Sequence, residues 1–386
     1  MNTLKDLVIN ENRCSIPWLH TEISLQTNTV IACCKYHSPL GKLNNSFKSI
    51  WHAEPYQKLR NDIANKIEHS ACSACAVPDS VFSYKTYKNQ VYKHLLDNID
   101  IGNPSLPKIF HFTLKNTCNL ACRMCHPTSS SRFGELIKRS TYLENLYPAN
   151  IINNQFPFEQ LTGSFGNAVG ITITGGEPLI DEDCVELIKL IASEAHELQT
   201  VVFSTNMTKF NQSLMDELKT LPAIIKFNIS IDGPPHVHEY IRYGCEWSTI
   251  AENITKIKTQ LPQAQFGINT TISALNVGYF DHMLTALDQL EQEANIVLTH
   301  IMLSPVLDSH LHCGLLPDHV KDIYRSRLAT INNLRIPGSE LIVPTTLNLL
   351  AEDRHHEYYQ FDKFIKEFDR IAKTCLTDVY PELNLQ

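Results

Sequence analysis

Lys115-Asn116-Thr117-Cys118-Asn119-Leu120-Ala121-Cys122-Arg123-Met124-Cys125-His126-Pro127 is the stretch on which the reading of this 386-residue chain turns. It follows a strand-like run, 109–114, and carries three cysteines with gaps of three and two residues. Three is the informative number. A structural zinc or an ordinary electron-transfer cluster takes four protein ligands, whereas three thiolates on a four-iron cluster leave one iron open to a substrate or cofactor. The competing reading is a helix face, since positions i, i+4 and i+7 share one side of a helix and free cysteine is a common buried hydrophobe. Asn116 and Thr117 before the run and Pro127 after it are turn and boundary residues, and a loop directly after a strand is where functional groups concentrate.

Outward from this run, short β-branched segments alternate with amphipathic helical ones, the pattern of βα units on a parallel sheet. The segments 109–114, 169–174, 200–204, 224–231, 266–272 and 296–303 read as strands, with helices at 183–195, 212–221 and 248–260 among those between them. Six units are too few for the closed eight-stranded barrel. The expected fold is therefore α/β, an open, partial (β/α)6 barrel with its site at the strand C-terminal ends. A helical stretch around 80–98 leads into Gly102, Pro104 and Pro107, which read as a linker. Three parts are expected: a small cysteine-rich α+β module with its linker helix at 1–103, the barrel at 104–310, and a helical extension at 311–386. The tail carries Phe361, Phe364 and Phe368 at helical spacing, an amphipathic helix to pack on the barrel or cap its cavity.

Apolar residues make up 43 % and charged ones 19 % of the chain, with 14 Gly and 19 Pro, which excludes disordered and collagen-like classes. Thirty-three Lys and Arg against 41 Asp and Glu leave a charge of −8, which argues against a nucleic-acid binder dominated by phosphate contacts. No apolar run reaches the roughly 18 residues that crossing a bilayer requires, and Asp6 and Glu11 interrupt the start, so a cytoplasmic protein without a membrane partner is expected. Twelve cysteines are too sparse for a disulfide scaffold, and clustered thiols in a reducing compartment point to metal or catalysis.

Cys118-x3-Cys122-x2-Cys125, opening a loop after the first strand of a βα domain, resembles the signature of the radical S-adenosylmethionine (radical SAM) enzymes. Thr174-Gly175-Gly176-Glu177-Pro178, ending the second strand, resembles the motif by which that family holds the methionine amino group of its cofactor. Alone, the double glycine could serve a tight turn and Glu177 could be a solvated acid near a helix start. Ser204 and Asn206 end the third strand where the family places polar groups near the ribose, although Met207 stands where glycine is frequent. Ser230, Asp232 and the downstream Arg242 resemble the groups that approach the cofactor carboxylate, and a guanidinium can grip a carboxylate in two parallel bonds. An ion pair of Arg242 with Glu239 or Glu246 is the plainer alternative. Met124 fills the apolar position that would lie near the adenine, or else a core position. The resemblance implies a 4Fe-4S cluster on Cys118, Cys122 and Cys125, S-adenosylmethionine chelated at its open iron, and a reduced flavodoxin or ferredoxin-type electron donor. One electron then splits the sulfonium to methionine and a 5′-deoxyadenosyl radical, which takes a hydrogen atom from an unactivated carbon of a substrate that the site must hold still and dry.

A second cysteine set precedes the barrel: Cys14-x-x-Pro17-Trp18, the pair Cys33-Cys34, and Cys72-x-x-Cys75, about twenty residues after Ser46-Phe47-Lys48-Ser49-Ile50-Trp51. Cys72 and Cys75 can meet at one metal, and Cys14 with either Cys33 or Cys34 completes four ligands. Zinc is the competing occupant. The order of these elements resembles the SPASM/twitch modules that carry an auxiliary 4Fe-4S cluster in many radical SAM enzymes, though there the module more often follows the barrel.

His236-x-His238 and His310-x-His312 read as solvated turns, and no metal is assigned to them. Cys313, and equally Cys245 or Cys375, could return a hydrogen atom to a carbon radical, with an inert buried thiol as the plain alternative; Cys184 is a bystander. SPASM/twitch relatives often modify ribosomally made peptides, so an oxidoreductase that oxidises, crosslinks or epimerises a peptide is the first functional expectation. Radical oxidation or rearrangement of a small sugar or amino acid is the second, and a non-catalytic metal-binding interaction module the third.

Overall fold

A sheet of strands with alternating inward and outward residues organises the computed structural model, which describes residues 3–36, 38–75, 84–148, 151, 154–307 and 309–383. In chain order they are β1 (His20–Ser24), β2 (Thr29–Ile31), β3 (Gly41–Lys42), β4 (Ile109–Thr113), β5 (Ala121–Cys122), β6 (Gly170–Thr174), β7 (Thr200–Thr205), β8 (Ile224–Ser230), β9 (Arg242–Tyr243), β10 (Gln265–Ile272) and β11 (Leu298–Pro305). Nine of them form one sheet in the order β11-β10-β8-β7-β6-β4-β1-β2-β3, and β5 with β9 forms a separate two-stranded ribbon. The six parallel strands from β4 to β11 are the partial barrel, and all six expected segments match them to within two residues.

Sequence reading had the barrel begin after residue 103, but the sheet does not stop there. Strand β1 pairs parallel with β4 over five residues, Glu22 opposite His111, and β2 and β3 extend the same sheet antiparallel. Only Ile23 in β1 is both β-branched and apolar, so local propensity hides the strand; the long-range pairing forms it. Of the helical stretch around 80–98, residues 80–83 lie outside the described residues, and the rest includes helix Tyr84–Val91 and a turn at Lys93–Leu95.

One face of the sheet packs on helices. Phe110 and Phe112 of β4 stack 6.0 Å apart and meet Phe165, while Phe203, Phe227 and Phe266 stack across β7, β8 and β10. The other face carries His111, Thr113 and Thr174 toward the barrel interior, which is why β4 alternates buried and half-buried residues. Helices Glu182–Glu194, Gln212–Leu218 and Trp247–Gln260 cover the outside as expected. The carboxyl-terminal part is helical, and helix Tyr358–Ala372 buries Phe361, Phe364 and Phe368 against helices Ser131–Ile137 and Thr141–Leu146. Among the described residues no helix is long and apolar enough to cross a membrane.

Candidate functional site

The loop after β4 is braced at both ends. Asn116 Nδ2 donates to Pro127 O (2.8 Å), and Cys118 N donates to Ser131 Oγ (3.3 Å), tying the loop to the first turn of helix Ser131–Ile137. Inside the loop Cys122 lies opposite Arg242 on the β5–β9 ribbon, and Cys125 N donates to Cys122 O (2.9 Å) in a tight turn. Cys118, Cys122 and Cys125 then line one cavity of about 320 Å³ with Met124. Its other wall comes from the C-terminal ends of three parallel strands: Thr174, Gly175 and Gly176 after β6, Ser204, Thr205 and Asn206 at β7, and Ser230 at β8, with Arg242 beside them.

The double glycine is a packing requirement. Gly175 has φ +136°, and a Cβ on Gly176 would lie 2.2 Å from Thr117 O. The close passage is hydrogen-bonded, Gly176 N to Lys115 O (3.0 Å) and Glu177 N to Thr117 O (2.8 Å), so the end of β6 and the cysteine loop form one body.

Glu177, Pro178 and Asp232 do not line the cavity. Glu177 Oε1 accepts from Thr205 Oγ1 (2.6 Å) and Leu179 N (3.0 Å), and Oε2 accepts from Asn206 N (2.6 Å). Both oxygens are thereby taken up behind the wall, where the residue ties the end of β7 to the end of β6 rather than reaching a cofactor amine. Burial raises its pKa while these bonds counter it. Asp232 works similarly: it accepts from Arg242 Nε (2.7 Å) and from Thr271 N (2.8 Å), aiming the buried guanidinium, whose Nη1 stands 3.8 Å from Cys122 Sγ. Glu239 instead accepts from Trp247 N (2.7 Å).

At the other cysteine set, Cys14, Cys33, Cys72 and Cys75 line one cavity of about 500 Å³, and Cys34 is exposed outside its wall. The thiols come from separate short elements: the approach to helix Ile16–Leu19, the turn after β2, and the 3-10 segment Ser70–Cys75. Ser15 and Arg13 are pinned to Asn89 (2.9 and 2.6 Å). The two tryptophans are structural: Trp18 Nε1 donates to Ile101 O (3.0 Å), Trp51 Nε1 to Ser105 O (2.9 Å), and Arg60 lies 4.3 Å over the Trp51 ring.

Burial pushes the thiol of Cys14 up to about 12, those of Cys72 and Cys125 up to about 11, and those of Cys33, Cys118 and Cys122 upward as well. Burial raises Cys184, Cys245 and Cys313 in the same way, so the shift marks thiols that are not free nucleophiles and does not by itself distinguish metal ligands from core cysteines. Three thiols face a polar wall in the barrel and four line one cavity at the amino-terminal end, the donor type of iron–sulfur clusters, which take one thiolate per iron; among the described residues no three His, Cys, Asp or Glu side chains are gathered to hold a single metal ion.

His126, Ser129, Thr174 and Thr205 also line the barrel cavity and were not singled out from sequence. His126 follows the third cysteine directly, and its Nδ1 is engaged by Thr128 Oγ1 (2.8 Å). Cys184, Cys245 and Cys313 are buried, Cys375 is exposed, and none lines that cavity. His238 Nδ1 accepts from Asp232 N (3.2 Å) and His312 Nδ1 from Gly314 N (2.9 Å), both as backbone caps. His310 Nε2 pairs with Tyr147 Oη (3.1 Å).

A sequence model of the radical SAM superfamily matches residues 113–275, and one of the SPASM iron–sulfur cluster-binding domain matches residues 14–76. GTP 3′,8-cyclase of Syntrophomonas wolfei subsp. wolfei is 29 % identical over 147 residues, 37 % of this chain and 40 % of that protein, so the chain spans about two-fifths of the curated relative it matches. Among solved structures, native anSMEcpe with bound AdoMet and Cp18Cys peptide is 15 % identical, with a TM-score of 0.35 over 57 % of this chain and 58 % of that one. Streptococcus suis SuiB bound to S-adenosylmethionine is 12 % identical, with a TM-score of 0.34 over 80 % of this chain and 57 % of that one.

Proposed function

Because the chain belongs to the radical SAM superfamily and carries a SPASM-type iron–sulfur module, we propose that Cys118, Cys122 and Cys125 hold a 4Fe-4S cluster whose fourth iron takes S-adenosylmethionine. The observation that carries this reading is the shared cavity, with three thiols on one wall and Ser204, Asn206, Ser230 and Arg242 on the other. When bound, the cluster and its sulfonium supply an electron transfer that yields a 5′-deoxyadenosyl radical able to take hydrogen from a substrate carbon. The chain's own residues bind and orient. Arg242, aimed by Asp232, offers its remaining guanidinium N–H groups and Ser230 its hydroxyl to a carboxylate; Ser204 offers a hydrogen bond to the ribose, beside Asn206, whose amide is held by Asn119 and Thr208; Met124 provides an apolar surface for a base. Glu177 fixes the strand ends that present these groups.

The amino-terminal thiols Cys14, Cys33, Cys72 and Cys75 would hold a second 4Fe-4S cluster, closed by four protein ligands and suited to storing or passing an electron. A reduced flavodoxin or ferredoxin-type protein is the proposed source of electrons. For the substrate, we infer a peptide that is oxidised, crosslinked or epimerised; the SPASM-type module supports this, since such modules accompany peptide maturation. A small-molecule radical rearrangement is the second reading, favoured by the curated relative named for acting on GTP.

Anaerobic reconstitution with iron and sulfide, followed by reduction in the presence of S-adenosylmethionine, tests the central reading. About eight irons per chain and formation of methionine with 5′-deoxyadenosine are expected. Stoichiometric zinc without cofactor cleavage would overturn it in favour of a metal-binding interaction module.

A further inference from the structure

Arg123, between the second and third cysteines, is wholly buried, and its contacts join the cysteine loop to the carboxyl-terminal helix 246 residues away. Its guanidinium lies 3.5 Å over the Tyr240 ring and 4.5 Å over Phe368. It donates to Tyr240 O, to Asp369 Oδ1 and to Thr374 Oγ1 (2.7 Å). Asp369 in turn accepts from Tyr240 Oη (3.0 and 3.1 Å) and from Thr374 Oγ1 (2.6 Å).

The same arginine is anchored through its backbone, with Arg123 N donating to Ile241 O (2.8 Å). Residues on either side of these two anchors belong to the cavity: Cys122 pairs with Arg242 on the β5–β9 ribbon, and Cys125 closes the next turn. A buried guanidinium caged by two aromatic rings needs its counter-charge, because removing one partner leaves an uncompensated charge that must move or draw in water. Moving it shifts both the thiol of Cys122 and the guanidinium of Arg242, the cluster side and the cofactor side of the site at once.

Resting on the proposed function, we infer that Asp369, through Arg123, is a positioning residue that sets the register between the cluster cysteines and Arg242. The carboxyl-terminal helix is thus part of the cofactor site although it touches none of the cavity. A merely structural helix would affect folding in general; a positioning one alters cofactor binding while the amino-terminal cluster, far away in the chain, stays intact.

The test uses the reconstituted full chain carrying Asp369→Asn, Asp369→Glu or Arg123→Lys. Readouts are iron content, S-adenosylmethionine affinity, and the change this cofactor causes in the electron paramagnetic resonance spectrum of the reduced cluster. Asp369→Asn and Arg123→Lys are expected to keep the amino-terminal cluster, weaken S-adenosylmethionine binding about tenfold or more and alter that spectral change, since misplacement of a binding group by about 1 Å is enough for such losses. Asp369→Glu, retaining the charge, is expected to recover most of the affinity. Wild-type affinity and spectrum in Asp369→Asn overturn the inference; if that variant does not fold, wild-type values in Arg123→Lys do so instead. A wild-type protein that takes up iron but binds no S-adenosylmethionine overturns the functional reading itself, and the inference with it.

Discussion

The two cysteine sites are built on opposite plans. In the barrel, one eight-residue run supplies all three thiols, and strand ends from β6, β7 and β8 supply a wall held by strand pairing and by the Glu177 hydrogen bonds, which predicts that it stands without metal. At the amino-terminal end four thiols converge from segments as far apart as Cys14 and Cys75, around a larger cavity whose walls are short helices and turns. On the proposed function, the first plan would leave a coordination position for a ligand and pre-form its contacts. The second would use Cys14, Cys33, Cys72 and Cys75 together, so that a metal centre would itself close the loops. The first arrangement suits chemistry at the cluster and the second suits holding one.

The sharpest break of that comparison is Cys122→Ala. Cofactor cleavage is expected to fall to background, a loss of at least about a thousandfold, while iron drops from about eight to about four per chain because the amino-terminal site remains. Equal loss of both clusters, measured by iron and sulfide analysis, would show the sites to be interdependent. The converse experiment pairs Cys33→Ala with Cys34→Ala. Cys33 lines the amino-terminal cavity and Cys34 does not, so the first variant should lose about four irons and the second none, with methionine formation in the absence of substrate within a few-fold of wild type in both. Iron loss in Cys34→Ala alone would reverse the ligand assignment.

What could be read from sequence was what is local. The cysteine run, the double glycine and the polar strand ends each sit within a few residues, and alternation located the barrel strands. Contacts between distant segments left no such trace. Strand β1 is legible only through its pairing with β4, and the Arg123–Asp369 pair only through a helix that periodicity could place on a surface but not on a particular loop. Glu177 was legible as a motif residue, but its carboxylate's partners Thr205, Asn206 and Leu179 were not, because a motif records spacing and not which way a carboxylate turns. Met207 is instructive in the same way: it holds φ +58° where glycine would be unstrained, with Asn253 Nδ2 donating to its carbonyl (2.9 Å).

Glu177→Gln sharpens the claim that the barrel wall stands without metal. The amide can accept at one position only, so its NH2 faces either Asn206 N or Leu179 N, and one of those backbone bonds is replaced by a clash of donors. Losing a charge-assisted bond to a buried acceptor costs about 2–3 kcal/mol, to be read by chemical denaturation of the protein before and after iron loading. A loss of equal size in both states fits a wall formed independently of the cluster. A loss seen only after loading would mean that Glu177 faces the cofactor.

The smallest effect concerns the seam where the two plans meet, the pairing of β1 with β4. His20 lies buried and His111 half-buried there with ring centroids 6.5 Å apart, held by desolvation first and by Lys88 second at about 3 and about 4, below the ordinary 6.5. His111 Nε2 is engaged with Thr174 Oγ1 (2.8 Å), and His20 Nδ1 with Ala32 O (2.9 Å). Both imidazoles are therefore neutral in the folded protein, whereas the unfolded chain begins to protonate them as pH falls through 6.5. The unfolded state then binds more protons, so the stability these residues contribute is complete above pH 6.5 and is lost progressively toward pH 4 and 3. Glu22, whose pKa burial raises, works in the opposite sense and offsets part of the loss. Each histidine costs about 1.4 kcal/mol per pH unit within that window. Replacing His111 by Gln should flatten the fall in unfolding free energy between pH 6.5 and 5.5 by about 1 kcal/mol, with the amino-terminal iron content unchanged. An unaltered pH slope would mean that this histidine is already solvated, and that the seam between the two cysteine regions opens in the native protein.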